Sequence, residues 1–493
     1  LRGPEVWTTL AVAGPLLGAL VALVGRPVAI RVGLAVGSLT SLAASAGLWR
    51  EVALKGPVRH LLGGWGGPLG IELRVDGLSL VLLAMTAVVG SAVSLYATAY
   101  FGDVIEHGDR PSPGGRAARF FAPLWLFLWA ALGGLYLSAD LFNLYVTLEL
   151  LGLTAAAIVT LAVSAEAVRA GLRYLFVSII GSMLFLLGVA LLYMEYGVLS
   201  LQALAALGPG GGLALAALAV MTTGMAAKTA LFPLHAWLPP AHGYAPAPGS
   251  ALLSALVVKA SFYVVVRLWI DVYAPGPRAG LHLLGLMGGG AIVWGSILAL
   301  RQTSLKRLIA YSTVAQIGYL FVMLPLLVPE AGGEWSTDAW TGGIYQALSH
   351  GVAKAAMFLA AGSMSYAVAR DDIRAISGVA GSLPISFTAL ALAGLTLAGI
   401  PPSGGFVGKW LLLRSAVASG AWHWAVLLAS GGVLAAAYVL RIVGPALERQ
   451  DPVTDIRPVP RRMEYAALGL AILSVLLGLR PLEILSVLEA GWP

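Results

Sequence analysis

Apolar runs of membrane-spanning length recur along this 493-residue chain, and no other feature restricts its fold as severely. The first, VWTTLAVAGPLLGALVALV, covers residues 6–24. Others follow near 28–48, 77–99, 119–138, 141–164, 172–193, 211–238, 247–273, 281–300, 307–328, 341–367, 384–414, 420–445 and 464–482. Roughly 18–20 apolar residues carry a helix across a bilayer. The chain therefore reads as an all-α polytopic membrane protein of about fourteen transmembrane helices. Composition agrees: only 11% of residues are charged and mean hydropathy is +0.88, where soluble domains carry about 25% charge. Cysteine is absent, which excludes disulfides, thiolate metal sites and cysteine nucleophiles. The first run lacks a basic start and a cleavage box, so it reads as a span and not a removed signal.

Two connections are long. Residues 49–76 contain GGWGGPLGIELRVD, whose alternation predicts a short surface hairpin. Residues 446–463, ALERQDPVTDIRPVPRRM, are polar and rich in proline. Neither is large enough to house separate chemistry. Loops after spans 1, 3, 5, 9, 11 and 13 hold Arg26, Arg110, Arg116, Arg119, Arg169, Arg301, Arg307, Arg370, Arg374, Arg449, Arg457, Arg461 and Arg462. The alternate loops are poorer, with Arg278 and the 49–76 loop as exceptions. By the positive-inside rule the odd loops are expected to face the cytoplasm with both termini outside, the flipped topology being the alternative. The net charge of +7 is then topological and does not call for nucleic acid.

Two spans look broken. Span 7 contains LFPLHAWLPP with Pro233, and span 12 contains AGIPPSGGFVGKW with Pro401 and Pro402. Proline removes a backbone donor and clashes with the preceding turn. In lipid such a break survives only inside protein or beside a hydrated cavity. Paired interruptions point to internal repeats and to the transport site. Spans 7 and 12 are five apart, and a five-span repeat must invert its topology. Helices 4–8 and 9–13 are therefore the expected inverted repeats, with two unrelated kinks as the plain alternative. The divisions are 1–118 for the first three helices, 119–273 and 274–445 for the repeats, and 446–493 for the last loop and helix.

Lysine is used sparingly. There are 24 arginines but six lysines, of which Lys228, Lys259, Lys354 and Lys409 fall inside spans. Arginine stays protonated in practice, whereas a buried lysine can release its proton. Lys259 lies about twelve residues into its span, roughly 18 Å and near mid-membrane. A charge at that depth costs from about 3 to more than 10 kcal/mol and marks function by default. A structural ion pair between helices is the plain alternative for any one lysine, but a weak one for four. Glu149, in LFNLYVTLELL, is the acid placed deep in a span, and Lys228 is its natural partner. Asp140 lies nearer the span entrance. His350 and Lys354 stand four residues apart on one face of span 11, and histidine suits a proton relay. No second ligand at metal spacing accompanies them. His242 stands at the mouth of span 8, while His235, in the break of span 7, is placed to bond freed carbonyls. Side by side, the repeats would align these groups in a row at mid-depth.

Five segments carry a resemblance: LFNLYVTLELL, AAKTALFPLHAWLPPAHGYAPAPGSALLSALVVKASFY, LKRLIAYSTVAQIGYL, ALSHGVAKAAMFLAAG and AGIPPSGGFVGKW. Together they resemble the antiporter-like subunits of respiratory complex I, the D subunit of Mrp-type sodium/proton antiporters and the matching subunits of membrane-bound hydrogenases. The resemblance covers spans 3 to 13. It implies fourteen helices and proton transfer through named residues. Glu149 and Lys228 match the gating pair, Lys259 the central lysine with His242 as a relay, His350 and Lys354 the helix-11 relay, and Lys409 the terminal group. It also implies hydrophobic partner subunits of a membrane complex, protons and sodium as cargo, no cofactor in this chain, and a bacterial or archaeal cytoplasmic membrane. ADLFNLYVTLE looks closer to the Mrp D subunit, and the short stretch after span 14 lacks the lateral helix of the largest relatives. A role like that of the Mrp D subunit is therefore expected. The alternatives are a proton-pumping subunit of a complex I-type NADH:quinone oxidoreductase or hydrogenase, then a stand-alone transporter. No flavin, iron-sulfur or haem motif is present, so redox chemistry would belong to other chains.

Overall fold

A computed structural model describes residues 3–65, 70–102, 113–274, 276–328, 335–448 and 456–489. Arg110 and Arg449 lie outside the described residues. Helices α1 (Pro4–Ala22) and α2 (Pro27–Lys55) are followed by strands β1 (Val58–Leu61) and β2 (Glu72–Val75). Then come α3 (Gly77–Tyr100), α4 (Pro113–Leu137), α5 (Leu141–Thr160) and α6 (Ala165–Tyr196). Helix α7 is broken into Gly212–Thr229 and Leu238–Tyr244. It leads into α8 (Ala247–Val272), α9 (Arg278–Leu300), α10 (Leu305–Leu327) and α11 (Thr337–Val368). Helix α12 is broken into Pro384–Ala398 and Gly404–Ala418, and α13 (Trp422–Leu447) and α14 (Arg461–Leu476) complete the bundle.

Among the described residues twelve helices are long and apolar enough to cross a membrane. The expected spans at 384–414 and 464–482 are not among them: α12 is split into two helices of 15 residues each, and α14 has 16. The expected hairpin is present, with β1 antiparallel to β2 and Val58 opposite Val75. Its Val58, His60, Leu73 and Val75 face inward, and His60 Nδ1 meets Thr8 Oγ1 of α1 at 2.7 Å.

Burial ranks the helices. Helix α8 is enclosed along its whole length and α10 and α11 nearly so, while α1, α2, α6 and α13 leave most of their surface open to their surroundings. The inner helices are also the ones that carry polar groups, as a membrane protein requires. Helix starts are fixed by side chains that accept from free amides: Asp76 from Ser79, Asp140 from Asn143, Ser164 from Ala167 and Ser403 from Phe406.

Helices α6 and α7 touch backbone to backbone. A Cβ on Gly224 would stand 2.3 Å from the Gly181 carbonyl oxygen, and one on Gly181 would stand 2.7 Å from that of Gly224. Small residues are what permits such an approach in a bilayer. Gly224→Ala is expected to push the two helices apart and to destabilise the fold by roughly 1–3 kcal/mol. A lower apparent melting temperature in detergent checks this, and an unchanged one counts against the close approach.

Candidate functional site

The two breaks are built differently. The first half of α7 ends where Ala230 takes a left-handed conformation, φ +59°, and Leu231 N bonds back to Ala226 O at 3.0 Å. The carbonyl of Ala227 accepts both the Ala230 amide at 3.1 Å and the Trp237 indole at 2.9 Å. The His235 ring stacks on Phe232 with centroids 5.7 Å apart, and its Nδ1 has no partner. The first half of α12 ends at Gly399, φ +80°. Its last carbonyls are taken by a lysine from the second half: Lys409 Nζ donates to Leu397 O at 2.6 Å and to Ala398 O at 3.4 Å. A cation at a helix C-terminus also meets the negative end of the helix dipole. The same ammonium lies 4.5 Å from the centre of the Tyr319 ring. Each break includes a cis proline peptide, Phe232–Pro233 and Pro401–Pro402.

Between the breaks lies the middle of α8. Residues Leu253–Val257 wind as a π-helix, and Lys259 follows two residues on. The Lys259 side chain is fully buried and Nζ turns back to Ser254 O at 2.6 Å. Helix α11 packs on this turn and supplies His350 and Lys354. Lys354 Nζ donates to Ile309 O of α10 at 2.8 Å and to Ser312 Oγ. His350 is 1% exposed, and neither ring nitrogen has a hydrogen-bond partner. It stands within electrostatic reach of Lys259, Lys354 and Lys409. His242, in the short second helix of α7, is buried within reach of Lys259, Lys354 and Lys306. Its Nδ1 meets Leu238 O at 3.0 Å, and its Nε2 is unpartnered.

The structure thus brings Lys259, His350, Lys354, Lys409 and His242 into one group. Glu149 and Lys228 form another and feel each other electrostatically. Among the described residues no ion pair joins them: Glu149 Oε1 is buried without a hydrogen-bond partner, and Lys228 is bound elsewhere. The direct pair expected from the sequence is absent in this conformation. Pro233, Pro401 and Pro402 stand in the breaks, as their positions imply.

A second set of charges was not anticipated. Arg267 of α8 is 5% exposed and donates to Asp76 Oδ1 at 2.7 Å, to Asp271 Oδ2 at 2.8 Å and to Ser79 Oγ at 2.9 Å. Arg74 of β2 stands 3.4 Å from the other Asp76 oxygen. Burial pushes the Asp76 carboxyl up, but Arg267, helped by Arg74 and the Ser79 amide, reverses this and holds it at about 2. This cluster ties the hairpin and the start of α3 to the far end of α8. Its signal in the sequence was an arginine in an apolar run, ASFYVVVRLWID, with an acid four residues on. Also missed were the uncharged partners: Ser178 and Ser182 beside Lys228, Tyr319 beneath Lys409, and a chain from Gln346 through Gln316 to Tyr438. Serine and glutamine carry no mark of such a role until the helices are packed. Among the described residues no group of three or more His, Cys, Asp or Glu side chains could hold a metal.

These features define an integral membrane protein with buried amines on two broken helices and on the α8 and α11 helices that pack together. The chain belongs to the NADH:quinone oxidoreductase/Mrp antiporter transmembrane family, whose model matches residues 138–435. It is 34% identical over 432 residues to NADH-quinone oxidoreductase subunit N of Desulforudis audaxviator, covering 86% of this chain and 83% of that one. It is 28% identical over 475 residues to the D subunit of the Na(+)/H(+) antiporter of Bacillus subtilis, covering 94% and 92%. Among solved structures it is similar to a chain of the Mrp complex from a Dietzia species, with TM-score 0.86, 25% identity and coverage of 99% and 97%. It is also similar to a chain of an archaeal membrane-bound sulfane sulfur reductase, with TM-score 0.84, 26% identity and coverage of 99% and 96%.

Proposed function

We propose that this chain is a proton-translocating subunit of a multisubunit membrane complex, in the manner of the D subunit of Mrp-type antiporters. Protons reach Lys259 and pass by water and side chains through His350 and Lys354 to Lys409, with His242 as a side relay. The Glu149–Lys228 pair gates this transfer by coming together and parting. Residues 119–273 and 274–445 act as two inverted repeats, each with its own broken helix. The odd loops, rich in arginine, face the cytoplasm of a bacterial or archaeal cell and both termini lie outside.

The observation that carries this function is His350, enclosed, with both nitrogens free of protein partners and three lysines within reach. A histidine so placed can take a proton from one neighbour and pass it to another through intervening water. The test is the purified, assembled complex in liposomes. An imposed sodium gradient should drive proton movement, read with a pH-sensitive dye. A second function has a specific observation in its favour: the 34% identity to an NADH-quinone oxidoreductase subunit supports a redox-driven pump. Proton movement that answers to an electron donor and not to sodium would select it, and no proton movement under either condition would overturn both. Glu149→Gln should lower the rate about tenfold or more by removing the charge that draws Lys228 back. An unchanged rate in an intact complex counts against the gate.

A further inference from the structure

Lys228 is held by a pocket of oxygens on α5 and α6. Its Nζ lies 2.6 Å from Ser182 Oγ, 3.0 Å from Ser178 Oγ, 3.2 Å from Leu148 O and 3.3 Å from Ser178 O. Ser178 and Ser182 are four residues apart on one face of α6, and both are buried. Two glycines make room for the amine. A Cβ on Gly152 would stand 2.1 Å from Ser178 Oγ, and one on Gly181 would stand 2.7 Å from Lys228 Cγ. The close approach of Gly181 and Gly224 brings α7 near enough for the side chain to reach across.

The chemistry of the pocket is asymmetric. Carbonyls only accept, whereas hydroxyls both donate and accept. A charged amine gives its three N–H groups to carbonyls and hydroxyls alike. A neutral amine gives two N–H groups to the carbonyls of Leu148 and Ser178 and takes a serine O–H into its lone pair. The pocket therefore holds Lys228 in either protonation state. An ionised Glu149 supports the charged state alone.

We propose that Ser178 and Ser182 are positioning residues that form a second seat for Lys228, so that the gate is a switch between two defined places, Glu149 and the serine pair. This rests on the gating role given above to Glu149 and Lys228. With the seat, the parted amine is bound; without it, the amine would have to return to Glu149 or lie unpartnered in a low dielectric, which is costly.

The experiment is a mutant cycle on the assembled complex in liposomes, read as the initial rate of proton movement. Ser178→Ala with Ser182→Ala should slow transport about tenfold, the worth of one or two hydrogen bonds to the amine. Ser182→Thr keeps the hydroxyl and should transport like the unaltered complex. In the Glu149→Gln background Lys228 no longer divides between two places, so the alanine pair should add little. Should the double variant not assemble, Ser182→Ala alone carries the same comparison. A combined loss equal to the product of the separate losses would overturn the seat, as would a Ser182→Thr complex as slow as Ser182→Ala. Absence of proton movement in the unaltered complex would instead overturn the proposed function itself.

Discussion

Lys259→Met is expected to cut proton movement about a hundredfold, in keeping with loss of a group that carries the proton, while the complex assembles normally. The two halves of that expectation have separate causes. Lys259 is fully buried and its one hydrogen bond is to Ser254 O. Methionine has nearly the same length and shape, so packing survives. A buried amine replaced by an apolar isostere is neutral or favourable for stability. What is lost is the site that takes and gives a proton midway along the route. Lys259→Arg separates charge from proton transfer, because a guanidinium keeps its proton in practice; it should transport as poorly as methionine does. Dye-reported proton uptake, with native mass spectrometry to show intact assembly, decides the matter. Normal uptake by an intact Lys259→Met complex would remove Lys259 from the route.

The second large effect is on stability. Arg267→Ala leaves Asp76 and Asp271 enclosed without their main cation, and breaking a buried pair in this way costs about 3–5 kcal/mol. The complex should accumulate poorly, or melt well below the unaltered one in detergent. The loss should be eased by also replacing Asp76 with asparagine, which removes the stranded charge but keeps an acceptor for the Ser79 amide. Asp76 by itself adds an acid dependence. Asp76 has its carboxyl lowered on folding, so its contribution is complete above the ordinary aspartate range near 3.8 and fades as pH falls through about 2. If Arg267→Ala melts like the unaltered chain, the cluster does not hold α8 to the hairpin.

The membrane class and the two helix breaks were legible in the sequence for one reason: apolar length and proline are local properties. The four lysines within spans were legible because a cation in an apolar run has few innocent explanations. The hairpin followed from alternation in IELRV. What stayed hidden depends on packing. The π-helical turn before Lys259 has no marker in LSALV, yet it sits where α11 bears on α8. The separation of Glu149 from Lys228 could not be read from two residues that look made for each other, because the competing serines lie on a third helix. Fourteen spans were expected, whereas twelve helices among the described residues meet the length and hydropathy a crossing needs. A break divides α12, and no apolar count across a break can tell one span from two short helices.

Each lysine within a span rests on at least one main-chain oxygen: Leu148 and Ser178 for Lys228, Ser254 for Lys259, Ile309 for Lys354, Leu397 and Ala398 for Lys409. No amino-acid exchange deletes a peptide carbonyl. The main-chain part of each seat therefore survives an exchange of the residue that carries it. What these seats require is the four lysines, the serine pair beside Lys228 and the helix path that aims the carbonyls. A saturation scan should accordingly show columns of intolerance at the amines and at Ser178 and Ser182, set among the carbonyl-bearing positions Leu148, Ile309, Leu397 and Ala398, where most apolar substitutions pass.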